Sequence, residues 1–294
     1  MKLNKNLPNF IVVGTAKAGT SFLLKYLRQH PDLLIPNSNE LYFHSKLKNF
    51  SGPFDKNIKL KQKRSFKEYL KNFEVGKNKK IIGEIATEYL YSYKNSIKSI
   101  KKNIGKDVKI VIILRNPVER TFSHYKHCVS KFQEPLNFWD SINAQSIRNK
   151  KKWRWIYQYT EVSKYFEQVK AFKENFNNVH IIIYEKLDKK PKMTINCLYK
   201  FLGIRKIHFQ NLNDRINVRL LTKNKIITLF LNFSKIFEKK ILKKSKISDM
   251  IQNRLATNIK LPIKDKKKLF KTFFNKDVEK LEKLLKLNLL HWKY

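Results

Sequence analysis

One stretch near the start constrains this chain more than any other: Phe10-Ile-Val-Val-Gly14-Thr15-Ala16-Lys17-Ala18-Gly19-Thr20-Ser21. Four apolar residues of strand type run into a loop bounded by two glycines. Behind the loop, Phe22, Leu23, Tyr26 and Leu27 follow helical spacing as far as His30-Pro31. A strand that turns through such a loop into a helix N-terminus gathers backbone N–H groups at one point. The helix dipole adds partial positive charge there, and a lysine and hydroxyls complete an anion site. An ordinary strand-to-helix turn would also need glycines for its torsions. It would not need Lys17, Thr20 and Ser21 together at the anion-facing position.

Three further apolar runs resemble the first: Lys80-Ile-Ile-Gly-Glu-Ile85, Val108 to Leu114 and Val179 to Tyr184. They are β-branched and nearly continuous, as in strands buried on both faces of a parallel sheet. The spacing predicts helices over Ala18–Gln29, Ser65–Phe73, Val118–Val129, Glu161–Phe176 and Met193–Leu202, the last stopped by Gly203. Strands alternating with helices define an α/β fold. The expected architecture is a P-loop-like, three-layer fold: a central, mainly parallel sheet flanked by helices. Residues 8–210 form its core. Residues 211–294 form a helical part completing the same domain. Within that part, 222–261 reads as basic and amphipathic, and a final helix runs from Lys264 to about Leu287.

The charge is extreme: 64 Lys and Arg against 23 Asp and Glu, a net +41 over 294 residues. It calls for an anionic partner, which a nucleotide, nucleic acid, anionic glycan or membrane surface would each satisfy. The basic helices of 222–261 can hold such a surface or be a solvated face over the core. The basic residues are scattered rather than forming one arm, and no base-reading module is present, which disfavours specific nucleic-acid binding. Two cysteines, Cys128 and Cys197, cannot build a disulfide framework, so a reducing, cytoplasmic setting is expected. The apolar run Phe10–Val13 is too short for a signal-peptide core, and no segment reads as membrane-spanning. His124, His127 and Cys128 lack a partner cluster, so no metal is expected.

A second anion site follows the strand Val108–Leu114. Arg115 stands at its end, Pro117 suits a first helical turn, and Ser123 lies about two turns further on. Arg115 and Ser123 can grip one phosphate from two sides. Arg120 is expected at the surface, capping an acidic neighbour or unengaged. The spacing of Gly14 and Gly19 is that of a nucleotide P-loop, but Thr20 stands where that motif has lysine. A Mg2+-dependent NTPase or kinase would also need a strand-end carboxylate, for which Glu84 and Glu185 are the candidates.

Together the two loops resemble those of PAPS-dependent sulfotransferases, PAPS being 3′-phosphoadenosine-5′-phosphosulfate. Gly14 to Ser21 is similar to their 5′-phosphosulfate loop, and Leu114 to Tyr125 to their 3′-phosphate motif. The likeness is greatest to the carbohydrate branch, including heparan sulfate sulfotransferases and bacterial relatives. It continues through Tyr165-Phe-Glu-Gln168, His180 to Leu187, Phe201-Leu-Gly-Ile204 and Trp292. The resemblance implies PAPS as co-substrate and an alcohol of a glycan or other molecule as acceptor, less readily an amine. It implies that Lys17 contacts the transferring sulfuryl group and that Ala16, Lys17, Ala18, Gly19, Thr20 and Ser21 hold the 5′-phosphate. Arg115 and Ser123 would hold the 3′-phosphate. Asn39-Glu40-Leu41-Tyr42-Phe43 resembles the stretch carrying the branch's general base, which makes Glu40 that base. The chain departs from the pattern in two places. Tyr42 stands where histidine is frequent, with His44 two positions later. The segment Glu84-Ile85-Ala86-Thr87-Glu88-Tyr89 lacks the lysine and proline of many relatives. Trp153 and Trp155 can stack on a sugar or base, or pack under a lid. Arg215, Asn217 and Arg219 are candidates for closing over the nucleotide.

Overall fold

The computed structural model describes residues 7–36, 40–47, 50–53, 65–76, 78–131, 133–208, 221–222, 256–257 and 259–294. Five parallel strands form the central sheet: β1 (Phe10–Gly14), β2 (Leu33–Leu34), β3 (Ile81–Ile85), β4 (Lys109–Leu114) and β5 (Val179–Ile183). Their order across the sheet is β2-β3-β1-β4-β5. All four runs singled out by their apolar continuity are strands of this sheet, and β2 adds a two-residue edge. The residues of β1 and nearly all of β4 are buried, because helices cover both faces. Each buried Val, Ile, Leu or Phe there contributes roughly 1.5–3 kcal/mol.

The helices in the first half are α1 (Thr20–Leu27), α2 (Phe66–Leu70), α3 (Tyr93–Asn103), α4 (Pro117–Val129), α5 (Phe138–Asn143) and α6 (Gln145–Lys150). Then come α7 (Phe166–Asn175), α8 (Tyr184–Lys189) and α9 (Pro191–Leu202). Helix α2 is shorter than the expected Ser65–Phe73. Ser65 caps it in a reciprocal box with Glu68, but from Lys71 the chain tightens into a 3-10 turn. Helix α3 was not expected: lysines and serines dilute its apolar face, yet Ile97 and Ile100 lie on its buried side. The predicted helix from Glu161 opens instead as a 3-10 turn. Helix α7 starts at Phe166, where the Asp277 carboxylate accepts from the Tyr165 and Phe166 backbone N–H groups.

Leu221–Thr222 and Ala256–Thr257 pair as the short antiparallel strands β6 and β7. Most of the 222–261 segment read as basic helix lies outside the described residues, as do Arg215, Asn217 and Arg219. The closing helix is divided: α10 (Ile263–Leu269), a π turn (Phe270–Phe274) and α11 (Asn275–Leu285). Leu269, Phe274, Val278, Leu281 and Trp292 share a core cluster with Ile11 of β1 and Leu114 of β4. Cys128 is buried and Cys197 exposed, both as free thiols. Among the described residues no helix is long and apolar enough to cross a membrane.

The strand order positions the site. β1 lies between β3 and β4, so the connections leaving β1 and β4 diverge to opposite sides. Such a switch point opens a crevice beyond the C-terminal strand ends, where α/β sheets bind their ligands. Both candidate anion loops leave from there.

Candidate active site

A cavity of about 880 Å³ occupies this crevice. One wall is the β1–α1 loop, tied to β4 by the Thr15 N–H donating to the Ile113 carbonyl at 2.9 Å. The loop depends on its glycines. Gly14 and Gly19 have φ of 134° and 89°. A Cβ on Gly14 would stand 2.8 Å from the Thr87 carbonyl oxygen, and one on Gly19 2.8 Å from the Tyr184 ring. Lys17 adopts φ 69°, a left-handed torsion that costs a side-chain-bearing residue about 1 kcal/mol or more. Its carbonyl accepts a 3.0 Å bond from Arg115 Nη1, which helps hold that turn.

Arg115 leaves β4 with its guanidinium over the Tyr184 ring, 4.7 Å from the centroid. The bond to Lys17 uses one N–H, and the fork retains others for an oxyanion. Helix α4 starts next to it, where Asn116 Oδ1 accepts from Val118 and Glu119 N–H at 3.0 and 3.2 Å. Ser123 follows on the cavity side of α4. The Asn116 N–H donates to Glu185 Oε1 at 2.8 Å, and the Trp292 indole donates to Glu185 Oε2 at 3.2 Å. Glu185, one of the two candidates for the carboxylate a Mg2+ site would require, is therefore a structural clasp.

Arg120 corrects the expectation of a surface arginine. It is fully buried, and its guanidinium donates to the Tyr159 carbonyl at 2.6 Å, the Ala16 carbonyl at 3.4 Å and the Ser163 hydroxyl. It also lies 3.1 Å from His124 Nδ1. Arg120 thus braces the phosphate loop from behind. Burial pushes it down to about 10, so it stays charged at neutral pH. Burial and the charge of Arg120 hold His124 well below its ordinary value, as a neutral imidazole.

The lining also carries carboxylates. Glu40 lines the cavity beside Tyr42; burial and the nearby charges of Glu40 and Glu88 hold the Tyr42 phenol far above its usual range. Glu84 of β3 is buried and accepts from the Tyr69 and Tyr89 hydroxyls on Oε1, at 2.9 and 3.2 Å. Burial lifts it to about 7 despite those two bonds. His44 lies behind it, with Nδ1 2.9 Å from Ser99 Oγ and Nε2 3.9 Å from Glu84 Oε1. Burial drives His44 down to about 3, so this contact is not an ion pair at neutral pH. His44 therefore stands as a neutral ring beside Glu84 and Ser99.

Of the residues singled out by sequence, Ala16, Lys17, Gly19, Thr20, Ser21, Glu40, Arg115 and Ser123 line this one cavity. Ala18 does not; it packs in the core with Leu23. The two tryptophans divide: Trp155 lines the cavity near His124, while Trp153 packs on Tyr157 and the Arg148 guanidinium. Sequence reasoning missed Arg154 and Lys126, which line the cavity. Neither carried a legible signal, being two basic residues among 64.

A crevice at a switch point, with a glycine-bounded loop on one strand end and an arginine on the next, is where open α/β sheets bind their ligands. The model of the sulfotransferase domain matches residues 7–280, and the chain belongs to that family. A sulfotransferase crystal structure from Alicyclobacillus acidocaldarius superposes with a TM-score of 0.74 at 27% identity, covering 97% of this chain and 98% of that one. The membrane-associated sulfotransferase kil1 of Dictyostelium discoideum is 36% identical over 123 residues, 40% of this chain and 22% of that protein. The mouse heparan sulfate glucosamine 3-O-sulfotransferase 3B1 is 23% identical over 214 residues, 69% of this chain and 48% of that protein. The chain thus spans about half, or less, of the length of these curated relatives.

Proposed function

We propose that the protein is a PAPS-dependent sulfotransferase that moves a sulfuryl group onto a hydroxyl of a glycan or other alcohol. The observation that carries this reading is that two candidate anion grips, Lys17 with Gly19 to Ser21 and Arg115 with Ser123, line one cavity together with Glu40. Two separated phosphates, as in a 3′-phosphoadenosine 5′-phosphate unit, fit two such grips, and the Gly19 torsion leaves the loop amides clear to face one of them. PAPS would supply an activated sulfuryl group. As it leaves, negative charge grows on the 5′-phosphate oxygen. Lys17 and the loop donors stand preorganised there and need no reorientation. Glu40, in the same lining, takes the acceptor proton as the new O–S bond forms. No step in this scheme calls on a metal.

The basic residues of 222–261 would draw in an anionic acceptor or surface, and base-specific nucleic-acid reading is no part of the scheme. A cytoplasmic location goes with this proposal. Calorimetry tests the donor assignment. 3′,5′-Adenosine bisphosphate should bind in the presence of EDTA, at least tenfold more tightly than 5′-AMP, because one charge-assisted phosphate grip is worth over about 1.4 kcal/mol. Equal affinities would remove Arg115 and Ser123 from the 3′-phosphate.

A further inference from the structure

We propose that the His124 Nε2–H is a neutral hydrogen-bond donor to the sulfuryl group of the bound co-substrate, and that Arg120 fixes the ring in the tautomer that offers it. The inference rests on the proposed function, in which Lys17 and the β1–α1 loop receive the 5′-phosphosulfate.

His124 lies on α4 one residue after Ser123, almost wholly buried, and lines the cavity. Its Nδ1 stands 3.1 Å from Arg120 Nη1. A guanidinium nitrogen can only donate, so Nδ1 must accept, and an accepting ring nitrogen carries no proton. In a neutral imidazole the proton then sits on Nε2. Burial and the charges of Arg120, His127 and Lys17 oppose a second proton on the ring.

Nε2 is on the other flank of the ring. Among the described residues it has no hydrogen-bond partner, yet it is not one of the buried polar atoms left without one, so it opens into the cavity. Neighbouring rings hold the imidazole in place. Tyr159 meets it edge to face at 5.6 Å, and Trp155 lies 5.6 Å away between centroids. An N–H held in this way is a ready partner for an oxyanion.

Arg120 also shows where that N–H stands. The same Nη1 that meets His124 donates to the Ala16 carbonyl at 3.4 Å. One guanidinium nitrogen thus joins the imidazole to the peptide that leads into Lys17. His124 therefore sits beside the β1–α1 loop, where Lys17 is assigned the sulfuryl group. A neutral N–H orients a sulfuryl oxygen without adding a charge next to Lys17. With its proton in place Nε2 cannot act as a base, which leaves that task to Glu40.

Nitrogen-15 NMR of the histidine-labelled protein, assigned with single His→Gln variants, reads both the tautomer and the contact. Without ligand at neutral pH, His124 Nδ1 should show the unprotonated shift and Nε2 the protonated one. The reverse pattern, or a doubly protonated ring, overturns the proposal. PAPS, added without any acceptor, should move the Nε2–H proton downfield well beyond the effect of 3′,5′-adenosine bisphosphate, which lacks the sulfuryl group. Equal responses to the two, or none while calorimetry shows both bound, overturn it as well.

Calorimetry of two variants gives a second readout. His124→Gln keeps an acceptor for Arg120 and an N–H for the cavity, whereas His124→Phe keeps a ring and neither of them. The ratio of PAPS affinity to 3′,5′-adenosine bisphosphate affinity should fall about tenfold in His124→Phe and stay within about threefold of wild type in His124→Gln. The ratio cancels any general slackening of the loop. An unchanged ratio in His124→Phe, or an equal fall in both variants, overturns the contact. Failure of both nucleotides to bind the wild-type protein overturns the proposed function itself and this contact with it, whatever the tautomer.

Discussion

The two ends of the cavity are built on opposite plans. At the cationic end the donors sit on one short loop and the first turns of two helices, held by torsions and by Arg120 behind. At the carboxylate end Glu40 and Glu84 come from separate segments, and Glu84 is held by the Tyr69 and Tyr89 hydroxyls. Backbone donors keep their positions and their charge at every pH. Side-chain carboxyls answer to each other and to solvent. Under the proposed function the first end has a fixed task, stabilising charge on a departing phosphate, and the second a task that must gain and lose a proton.

The largest test of this contrast is Glu40→Gln. It should cut sulfuryl transfer by about 10²–10⁴-fold while leaving 3′,5′-adenosine bisphosphate affinity unchanged in calorimetry. A matching loss of nucleotide affinity would mean that the two ends are not separate. Arg120→Leu strikes the other end. It leaves the Tyr159 and Ala16 carbonyls without their buried donor, and urea unfolding should report a loss of about 4 kcal/mol. An unchanged midpoint would mean that the loop holds its shape by torsions alone.

The smallest effect belongs to Glu84→Gln and depends on pH. Burial holds Glu84 at about 7, against an ordinary value of 4.5. Below the ordinary value the folded and unfolded chains both keep the proton, and the buried acid carries no charge penalty. As pH rises through 7 the folded chain must ionise a buried group, and stability is lost across that window. Glu84→Gln removes the penalty. Thermal melts should show the variant more stable than wild type by up to about 3 kcal/mol at pH 8 or above, and level with it near pH 4. A pH-independent difference would sink this account.

What was legible in the sequence follows the same division. The cationic end could be read because backbone geometry leaves local marks. Gly14 and Gly19 are required by torsion and contact, and Lys17, Thr20, Ser21 and Arg115 stand beside strands that are continuous in sequence. The four strands were readable because burial on both faces removes polar residues from them. The carboxylate end was only half readable. Glu40 was singled out by resemblance, but its place in one lining with Glu84 joins segments whose proximity only the folded sheet creates. Arg120 was misread because an arginine beside acidic and polar neighbours looks the same buried or exposed. Helix α3 was missed because a helix needs only a narrow buried stripe, here Ile97 and Ile100 among lysines.

The clasp of Asn116, Glu185 and Trp292 carries a consequence for how the molecule is made. Asn116 Nδ2 donates to the Trp292 carbonyl at 3.3 Å, and the Trp292 indole donates to Glu185. A nascent chain leaves the ribosome N-terminus first, so the phosphate loop and β4 emerge long before Trp292. The corner beside Arg115 closes only after Trp292, 176 residues beyond Asn116, has emerged. A nascent polypeptide that stops short of Trp292 thus carries the β1–α1 loop and Arg115 without the clasp beside them.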